Sequence, residues 1–488
     1  MTIIAVVLGY FALLLAISRW TGRKATNDTF YRANRQSPWY MVAFGMVGAS
    51  ISGITFVSVP GMVLTTQMTY LQTCMGFIVG YIVVALVLLP LYYRLNLTSI
   101  YAFLGQRLGR VSHRTASSFF LLSKMAGAAL KFYVVCLILQ RFAFDALGVP
   151  FAVTVVGLVL LIWLYTRQGG IKTLVWTDSL QTLCLFTALL LIIYKVSAEL
   201  GMTAGEVVSA VSNSELSRVF VLDDWVSKQN FWKQFLSGAF IVIVMTGLDQ
   251  DMMQKNLTCK TLRGAQKDMC TYGVAFLPAN LLFLSLGVLL TLWYQQQGIV
   301  LPAQSDELLP TYITLHAAPS ALPSSLLSFD FSLLEILFVL GIVAASFSSA
   351  DSALTSLTTI YCVDIQEKGD QEGLRKRVHL VMCAVFVLFI LLFHVTNSTS
   401  LIDAIYTIVS YTYGPLLGLF AFGLLTRRST RDRWTPYVAI ASPVLCYLLD
   451  VAIGALTGYH FGYELLMLNG LLTFGGLYIL SVGCPLRA

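Results

Sequence analysis

Serines recur at helical spacing inside a long apolar stretch of the sequence. The segment AASFSSADSALTS, residues 344–356, contains five serines, one threonine and one aspartate. At about 100° per residue, one helix face roughly 100° wide carries Ala345, Ser348, Ser349, Ser352 and Ser356. Hydroxyl and carbonyl oxygens at this spacing suit a dehydrated alkali cation, because polar groups inside apolar helices often mark an ion path. A stripe of small residues for close helix packing is the alternative.

A cation site on that face needs a second wall of oxygen ligands. The segment GMVGASISGITFVSVPG, which begins at Gly45, contains four glycines, four hydroxyl residues and a proline. Backbone carbonyls become ligands where a helix unwinds beside a cavity. A break near the centre of this segment would free carbonyls and hydroxyls of Gly48, Ile51, Ser50, Ser52 and Thr55. A flexible but continuous helix is the alternative.

Composition places both segments in a polytopic membrane protein with an all-α fold. Of 488 residues, 57% are hydrophobic and only 11% are charged, with a mean hydropathy of +0.77, whereas soluble proteins carry about 25% charged residues. Windows of about 20 apolar residues predict thirteen spanning helices, here called spans 1 to 13. They cover 2–20, 38–61, 70–93, 117–143, 149–166, 174–196, 232–249, 269–293, 333–360, 378–396, 402–426, 436–456 and 463–483.

Basic residues alternate from loop to loop. Most of the Lys and Arg residues follow odd-numbered spans, whereas the loops after spans 2, 4, 8, 10 and 12 contain none. Because basic loops remain cytoplasmic, this predicts a plasma-membrane protein with its N-terminus outside and its C-terminus cytoplasmic. The net charge of +7 is therefore a topology signal and gives no reason to propose a nucleic-acid partner.

Several other kinds of chemistry find no support in the sequence. None of the nine cysteines lies in a predicted outside loop, so a disulfide framework is not expected. The five histidines show no metal-ligand spacing, and no nucleophile with an adjacent base is visible. The outside loops 197–231 and 294–332 are each too short to form a domain. We therefore predict one domain over 1–488, with no enzymatic activity and no cofactor.

Five segments together resemble the sodium/solute symporter family, which includes sodium-coupled carriers of sugars, proline, pantothenate, monocarboxylates and sialic acid. The resemblance is in order along essentially the whole chain, and GGxKxxxWTD is its most specific part. The segments are GASISG at 48–53, LLPLYYRLNLTSIYAFLGQRLG at 88–109, GGIKTLVWTDSLQ at 169–181, GLDQDMMQKNL at 247–257 and SSADSALTS at 348–356.

This resemblance implies the leucine-transporter-like fold, in which five helices are repeated with inverted topology. Spans 2–6, residues 38–196, would form the first repeat, and spans 7–11, residues 232–426, the second. Span 1 and spans 12 and 13, residues 436–483, would be accessory. Span 7 would then also be broken, near Thr246 and Gly247.

The resemblance also implies sodium ligands, carried over position by position. The first sodium site would use carbonyls and hydroxyls of Gly48, Ile51, Ala345, Ser348 and Ser349. Some members have a second sodium site, which here would be formed by Asp178, Ser348 and Ser352.

Two buried aspartates leave alternatives open. Asp178 could instead cap the start of span 6, where a carboxylate favours the positive end of the helix dipole. Asp351 needs a partner if it is ionised at membrane depth. It could pair with a basic residue, hold a proton or add charge to the ion cavity.

Solute specificity follows from four positions that hold sugar in the sugar carriers of this family. Those carriers use amide, acidic and aromatic side chains, whereas this chain has Thr55, Cys74, Val242 and Met245. The difference argues against glucose or galactose. The hydroxyls of Ser50, Ser52 and Thr55 resemble the acid-sugar and carboxylate carriers more closely.

Span 4 adds two lysines seven residues apart on one face. Lys131 lies near mid-membrane, where an ammonium needs an anionic partner or water. That partner would be a solute carboxylate or, structurally, Asp178 or Asp351. Lys124 lies nearer the cytoplasmic side, so we expect it to extend to the membrane surface.

The sequence thus predicts a sodium-coupled symporter that imports a small organic solute by alternating access, acting as a monomer in the lipid bilayer. The favoured solute bears a carboxylate, of the sialic acid or monocarboxylate type, and sodium is the only metal expected. Symport of a neutral solute such as an amino acid or a polyol is one alternative. A transporter-like sensor and a sodium-leak channel are others.

Overall fold

A computed structural model describes residues 2–317, 331–396, 401–459, 461–462 and 464–482. The predicted all-helical class is confirmed, since the strands described are the two-residue pair β1 (Ser429–Thr430) and β2 (Ser481–Val482), which run antiparallel. Part of the predicted outside loop 294–332, namely 318–330, lies outside the described residues. So does the predicted cytoplasmic C-terminus.

Twenty α-helices occur in the described residues. They are α1 (Thr2–Thr21), α2 (Asn27–Arg32), α3 (Trp39–Ser50), α4 (Gly53–Thr66), α5 (Tyr70–Val83), α6 (Leu89–Arg94), α7 (Ala102–Arg107), α8 (Arg110–Leu139), α9 (Phe151–Thr166), α10 (Ile171–Glu199), α11 (Ala204–Asn213), α12 (Phe231–Val242), α13 (Gln250–Asn256), α14 (Leu262–Gln296), α15 (Leu308–Ala317), α16 (Phe331–Ile360), α17 (Glu372–Thr396), α18 (Leu401–Leu425), α19 (Thr435–Thr457) and α20 (Leu465–Ile479).

Wider and tighter turns extend several of these helices. Four π-helical segments follow α5, α8, α12 and α16, at Val84–Leu88, Gln140–Phe144, Ile243–Gly247 and Tyr361–Ile365. Five 3-10 segments are short connectors, at Ala33–Arg35, Asp145–Leu147, Glu215–Ser217, Ser305–Glu307 and Asp432–Trp434.

Length and apolar composition can be compared with the predicted spans. Among the described residues, seven helices are long and apolar enough to cross a membrane, or nine when two bent pairs each count as one span. The other predicted spans coincide with shorter apolar helices, at Val6–Thr21, Phe151–Thr166, Tyr411–Leu425 and Leu465–Ile479. The total of thirteen spans stays a prediction.

The predicted break in span 2 is confirmed. Helices α3 and α4 meet at 62°, and the chain turns at Ile51 and Ser52, whose backbones are extended. The carbonyls of Gly48 and Ile51 accept no backbone hydrogen bond within the described part of the chain. Two carbonyl oxygens are therefore free of backbone hydrogen bonds at the predicted break.

The second break lies beyond its predicted position. Span 7 was predicted to break near Thr246 and Gly247 and to end at 249. The helix instead continues through a π turn as far as Gly247. The chain leaves the helix at Leu248 and Asp249, and α13 follows at 71°. The carboxylate of Asp249 accepts from the N–H of Asp251 at 2.8 Å and so caps the start of α13.

Tyrosines bind the carbonyls that this second break leaves free. The hydroxyl of Tyr92 donates to the carbonyl of Gly247 at 2.8 Å, and that of Tyr101 donates to the carbonyl of Leu248 at 2.8 Å. Both tyrosines come from the segment 88–109. Buried carbonyls without a partner are costly, so these bonds stabilise the broken helix.

Ion pairs join the first turn of α8 to the chain that follows α16. Arg110, the first residue of α8, donates to both carboxylate oxygens of Glu367 at 2.8 and 2.7 Å, and Arg114 adds a contact at 3.2 Å. Hydrogen bonds from Arg110 hold the pKa of Glu367 below its usual value. These contacts connect two of the helices that form the cavity described below.

Glycines allow α5 and α12 to pack closely. A β-carbon at Gly76 or Gly238 would lie under 3.0 Å from a backbone carbonyl oxygen of the other helix. We expect Gly238→Ala to lower the free energy of unfolding by about 1–3 kcal/mol, because the backbones must separate. Thermal unfolding in detergent checks this, with Gly205→Ala as control, since a β-carbon there meets open space. Equal melting temperatures would contradict the prediction.

Candidate functional site

A cavity of about 190 Å³ lies beside both helix breaks. It is bounded by α3 and α4 on one side and by α5, α8, α12, α14 and α16 on the others. Six of the residues predicted to contact the solute line it, namely Ser50, Ser52, Thr55, Lys131, Val242 and Met245. The structure thus brings residues from three predicted spans to one place.

The seventh predicted solute contact, Cys74, does not line the cavity. Its small side chain is buried, and its larger neighbours on the same face of α5, Tyr70, Phe77 and Tyr81, line the cavity. The cavity lining therefore gives no support to the solute contact predicted for Cys74. The aromatic wall was missed because a tyrosine or phenylalanine in an apolar helix looks like ordinary core.

The aromatic wall is connected to the first break. The hydroxyls of Ser50 and Tyr272 form a short hydrogen bond, and the ring of Tyr272 packs edge-on against Tyr81 at 4.5 Å between centroids. The hydroxyls of Ser52 and Thr55 lie 3.5 Å apart. Three hydroxyl residues at the break therefore lie beside the aromatic wall.

Oxygens from α16 meet the opened end of α3. The hydroxyl of Ser349 lies 2.9 Å from the carbonyl oxygen of Ala49 and 3.3 Å from that of Ala345. The unbonded carbonyls of Gly48 and Ile51 belong to the same turn of chain as Ala49. Of the two serines predicted for the first sodium site, Ser349 therefore lies at this junction, whereas the hydroxyl of Ser348 donates to Asp178. The site itself stays a prediction.

Gly48 also allows α3 to approach α10. A β-carbon at this position would overlap the hydroxyl of Thr182 in α10, and one at Gly45 would lie 3.0 Å from the β-carbon of Asp178. Small residues at such a crossing permit close backbone approach. This contact places Asp178 next to the junction of α3 and α16.

Asp178 has partners on both carboxylate oxygens. Ser348 donates its hydroxyl to Oδ1 at 2.7 Å, and the ammonium of Lys255 lies 2.8 Å from Oδ2. Asp178 and Lys255 are 1% and 2% exposed. The alternative role as a helix cap is wrong, because α10 begins at Ile171 and Asp178 lies two turns further on.

The predicted second sodium site is only partly assembled. Asp178 and Ser348 meet, but Ser352 directs its hydroxyl to Oδ1 of Asp351 at 3.2 Å. Lys255 occupies the position beside Asp178 instead. Lys255 was missed because span 7 was predicted to end before α13, which makes Lys255 look like one of the basic residues of a loop.

Asp351 has hydroxyl partners. The hydroxyl of Tyr165 in α9 donates to its Oδ2 at 2.7 Å, and Ser352 donates to Oδ1. No basic residue forms an ion pair with Asp351 in the described ranges. Of the three roles left open, pairing with a basic residue is therefore wrong.

Lys124 does not extend to the membrane surface. Its ammonium lies 3.1 Å from Asp249 and 2.7 Å from Asp251, and its side chain is only 16% exposed. The hydroxyl of Tyr413 donates to Asp249 at 2.6 Å. The second break turns both carboxylates toward α8, and an ion pair inside the protein replaces the expected exposure.

Lys131 lines the cavity without an internal partner. Over the described parts of the chain it forms no ion pair and no hydrogen bond. The alternative in which Lys131 pairs with Asp178 or Asp351 is wrong. Asp178 is paired with Lys255, and the carboxylate of Asp351 accepts hydrogen bonds from two hydroxyls. Its ammonium therefore faces a space that a small anion can enter.

The side chains that commonly bind zinc do not cluster in the described residues. Within the ranges that the structure describes, no three His, Cys, Asp or Glu side chains are grouped to hold a metal. The eight cysteines in those ranges are free thiols. The polar groups of the cavity are instead hydroxyls, carbonyls, carboxylates and ammonium groups.

Comparison with known proteins decides the family. The sequence model of the sodium:solute symporter family matches residues 30–432, which is most of the chain. This chain belongs to the sodium:solute symporter family. The resemblance stated from five segments is confirmed, and a family of transporters supports the expectation that the chain is not an enzyme.

Relatives of this symporter-family chain are distant but cover most of its length. It is 24% identical over 455 residues to the sodium/sialic acid symporter SiaT of Proteus mirabilis, which covers 87% of this chain and 85% of the relative. It is also 24% identical over 438 residues to the sodium/sialic acid symporter NanT of Aliivibrio fischeri, covering 87% and 83%.

Solved structures show that the fold is shared. A substrate-bound, outward-open sodium-coupled sialic acid symporter superimposes with a TM-score of 0.79 at 21% identity, covering 98% of this chain and 97% of that one. Mhp1, a nucleobase-cation-symport-1 family transporter in a closed conformation, gives 0.57 at 15% identity, covering 92% of both chains. The symporter-family chain therefore has the fold of these membrane transporters.

Proposed function

We propose that this chain is a sodium-coupled symporter that imports a carboxylate-bearing solute of the sialic acid type by alternating access. The observation that carries the proposal is the free ammonium of Lys131 in a cavity between two broken helices. Broken helices form the binding sites of many secondary transporters. The symporters SiaT and NanT, named for sialic acid, support the choice of solute.

The sodium ion would bind where α3 meets α16. Its ligands would be the carbonyls of Gly48, Ile51 and Ala345 and the hydroxyls of Ser348 and Ser349. Such an ion holds the opened end of α3 against α16 and favours the conformation that admits solute. Each sodium ion that enters contributes about 2.3 kcal/mol per 100 mV, and an anionic solute offsets one such charge.

The solute would bind beside the sodium ion, in the cavity itself. Lys131 would pair with its carboxylate, and the hydroxyls of Ser50, Ser52 and Thr55 would bind its polar groups. Val242 and Met245 add apolar side chains to the lining of the cavity. An ionised partner inside the membrane compensates the cost of burying Lys131, so an acid would bind more tightly than its neutral analogue.

The proposed architecture has thirteen spans and two inverted repeats, over 38–196 and 232–426. In support, the first span of each repeat is broken, by 62° and 71°. The alternation of basic loops supports an N-terminus outside and a cytoplasmic C-terminus in the plasma membrane. The cavity and all the proposed ligands belong to one chain, which supports a functional monomer.

A solute screen tests the proposal. The purified full-length protein is heated with N-acetylneuraminate, lactate, proline or glucose, each in sodium chloride and in potassium chloride. We expect N-acetylneuraminate to raise the melting temperature in sodium only, because ion and solute stabilise one conformation. An equal shift in potassium would contradict sodium coupling. A shift with proline alone would favour the neutral-solute alternative. In a separate assay with proteoliposomes, an uptake rate that never saturates with solute would indicate a channel.

A further inference from the structure

The ion pair between Asp178 and Lys255 is unusually well enclosed. Both side chains are almost completely buried, at 1% and 2% exposure, and both oxygens of the carboxylate have a close partner. Asp178 lies next to the proposed sodium ligand Ser348. The chain has therefore placed a cation of its own at the position predicted for a second sodium ion.

Lys255 is held in place by its neighbours in α13. On one side, Gln254 donates to the hydroxyl of Thr359 in α16 at 3.0 Å. On the other, Asn256 donates to the carboxylate of Asp268 in α14 at 2.6 Å. Because α13 is tied to two long helices around Lys255, the ammonium stays beside Asp178 while α13 keeps these contacts.

A sodium ion on Asp178 would then lie directly beside an ammonium. Two like charges this close repel strongly where water is excluded. The carboxylate is neutralised by Lys255 and so has no charge left to attract a second cation. Ser352, the remaining ligand expected for that ion, is directed to Asp351 instead.

We propose that Lys255 takes the place of a second coupling ion, so that this symporter binds and carries one sodium ion per cycle. The inference rests on the proposed function, since it concerns the ion count of that same transport cycle. With an anionic solute, one sodium ion leaves no net charge to move. Uptake is then expected to be insensitive to membrane voltage, whereas two sodium ions would make it voltage-driven.

Equilibrium binding of radioactive sodium to the purified full-length protein tests the ion count without any solute. We expect one ion per chain at saturation, and two per chain for Lys255→Met, whose buried carboxylate lacks a cation. Lys255→Met combined with Asp178→Asn is expected to return to one. The control Lys260→Met, at an exposed position five residues on, is expected to stay at one, as is Lys255→Arg.

Each other result has a defined meaning. Two ions in the unaltered protein would overturn the inference, and so would one ion in Lys255→Met. No bound sodium in the unaltered protein would contradict the proposed function itself. If Lys255→Met does not fold, the ratio of sodium to N-acetylneuraminate entering proteoliposomes decides the question with the unaltered protein. A ratio of one supports the inference, and a ratio of two overturns it.

Discussion

Replacing Ser348 and Ser349 together by alanine is expected to abolish sodium-dependent solute uptake. The double substitution removes both hydroxyls from a proposed set of five oxygen ligands and leaves three carbonyls. A hydrogen-bonding group that serves a charge is worth about 1.5–3 kcal/mol, so two such losses amount to about 3–6 kcal/mol. Sodium affinity should therefore fall by about two to four orders of magnitude.

Uptake into proteoliposomes over a range of sodium concentrations measures this effect. Ser356→Ala is the matched control, because this buried serine lies on the same helix and donates to the carbonyl of Ala353 at 2.9 Å. Ser349→Ala alone separates ion binding from the contact between Ser348 and Asp178. If sodium-dependent uptake survives in the double variant, these serines are not ligands of the sodium ion.

Replacing Lys131 by glutamine is expected to weaken the binding of carboxylate solutes and to leave neutral solutes unaffected. The substitution keeps a polar side chain of similar length but removes the charge that faces the cavity. Loss of a charged hydrogen bond costs about 1.5–3 kcal/mol, which corresponds to a KM increase of about 10- to 150-fold. Lys131→Arg should retain much of the affinity.

Competition between N-acetylneuraminate and its methyl ester gives the sharpest measurement. In the unaltered protein the acid should compete far better than the ester, and in Lys131→Gln the two should become similar. Lys124→Gln is a useful contrast, because the ammonium of Lys124 is already neutralised by Asp249 and Asp251. This substitution should change the binding of acid and ester by the same factor. An unchanged preference for the acid in Lys131→Gln would exclude the carboxylate contact.

The first helix break could be read from the sequence because its causes are local. Glycines and hydroxyl residues between Gly48 and Gly53 weaken one stretch of a continuous apolar run, and the bend occurs there. The second break was placed too early for a reason that is also local but less visible. A π turn carries the helix on to Gly247, and the capping carboxylate of Asp249 then starts α13.

Packing decided which side chains face the cavity. The sequence identified α5 as a wall, but chose Cys74 rather than the neighbouring Tyr70, Phe77 and Tyr81. All four are apolar or aromatic residues in the same helix, so hydrophobic periodicity cannot rank them. At about 100° per residue all four also share one face of α5, so only the packed structure shows that the three large rings line the cavity and the small thiol does not.

The sequence by itself determined the class, the helical elements, the first break and the oxygen-rich face of α16. These follow from the cost of polar groups in a membrane, which acts on each segment separately. The same cost requires that each buried charge finds a partner, but it does not say which one. Only the tertiary structure paired Lys124 with Asp249 and Asp251 and left Lys131 free.

The pairing of Asp178 with Lys255 shows the physical reason most directly. The two residues are far apart in the sequence, and their meeting depends on the 71° bend at the second break. An ion pair needs its atoms within about 4 Å, so a small change in that angle would select other partners. Spacing along the chain cannot supply such a distance, whereas the packing of α13 against its neighbours does.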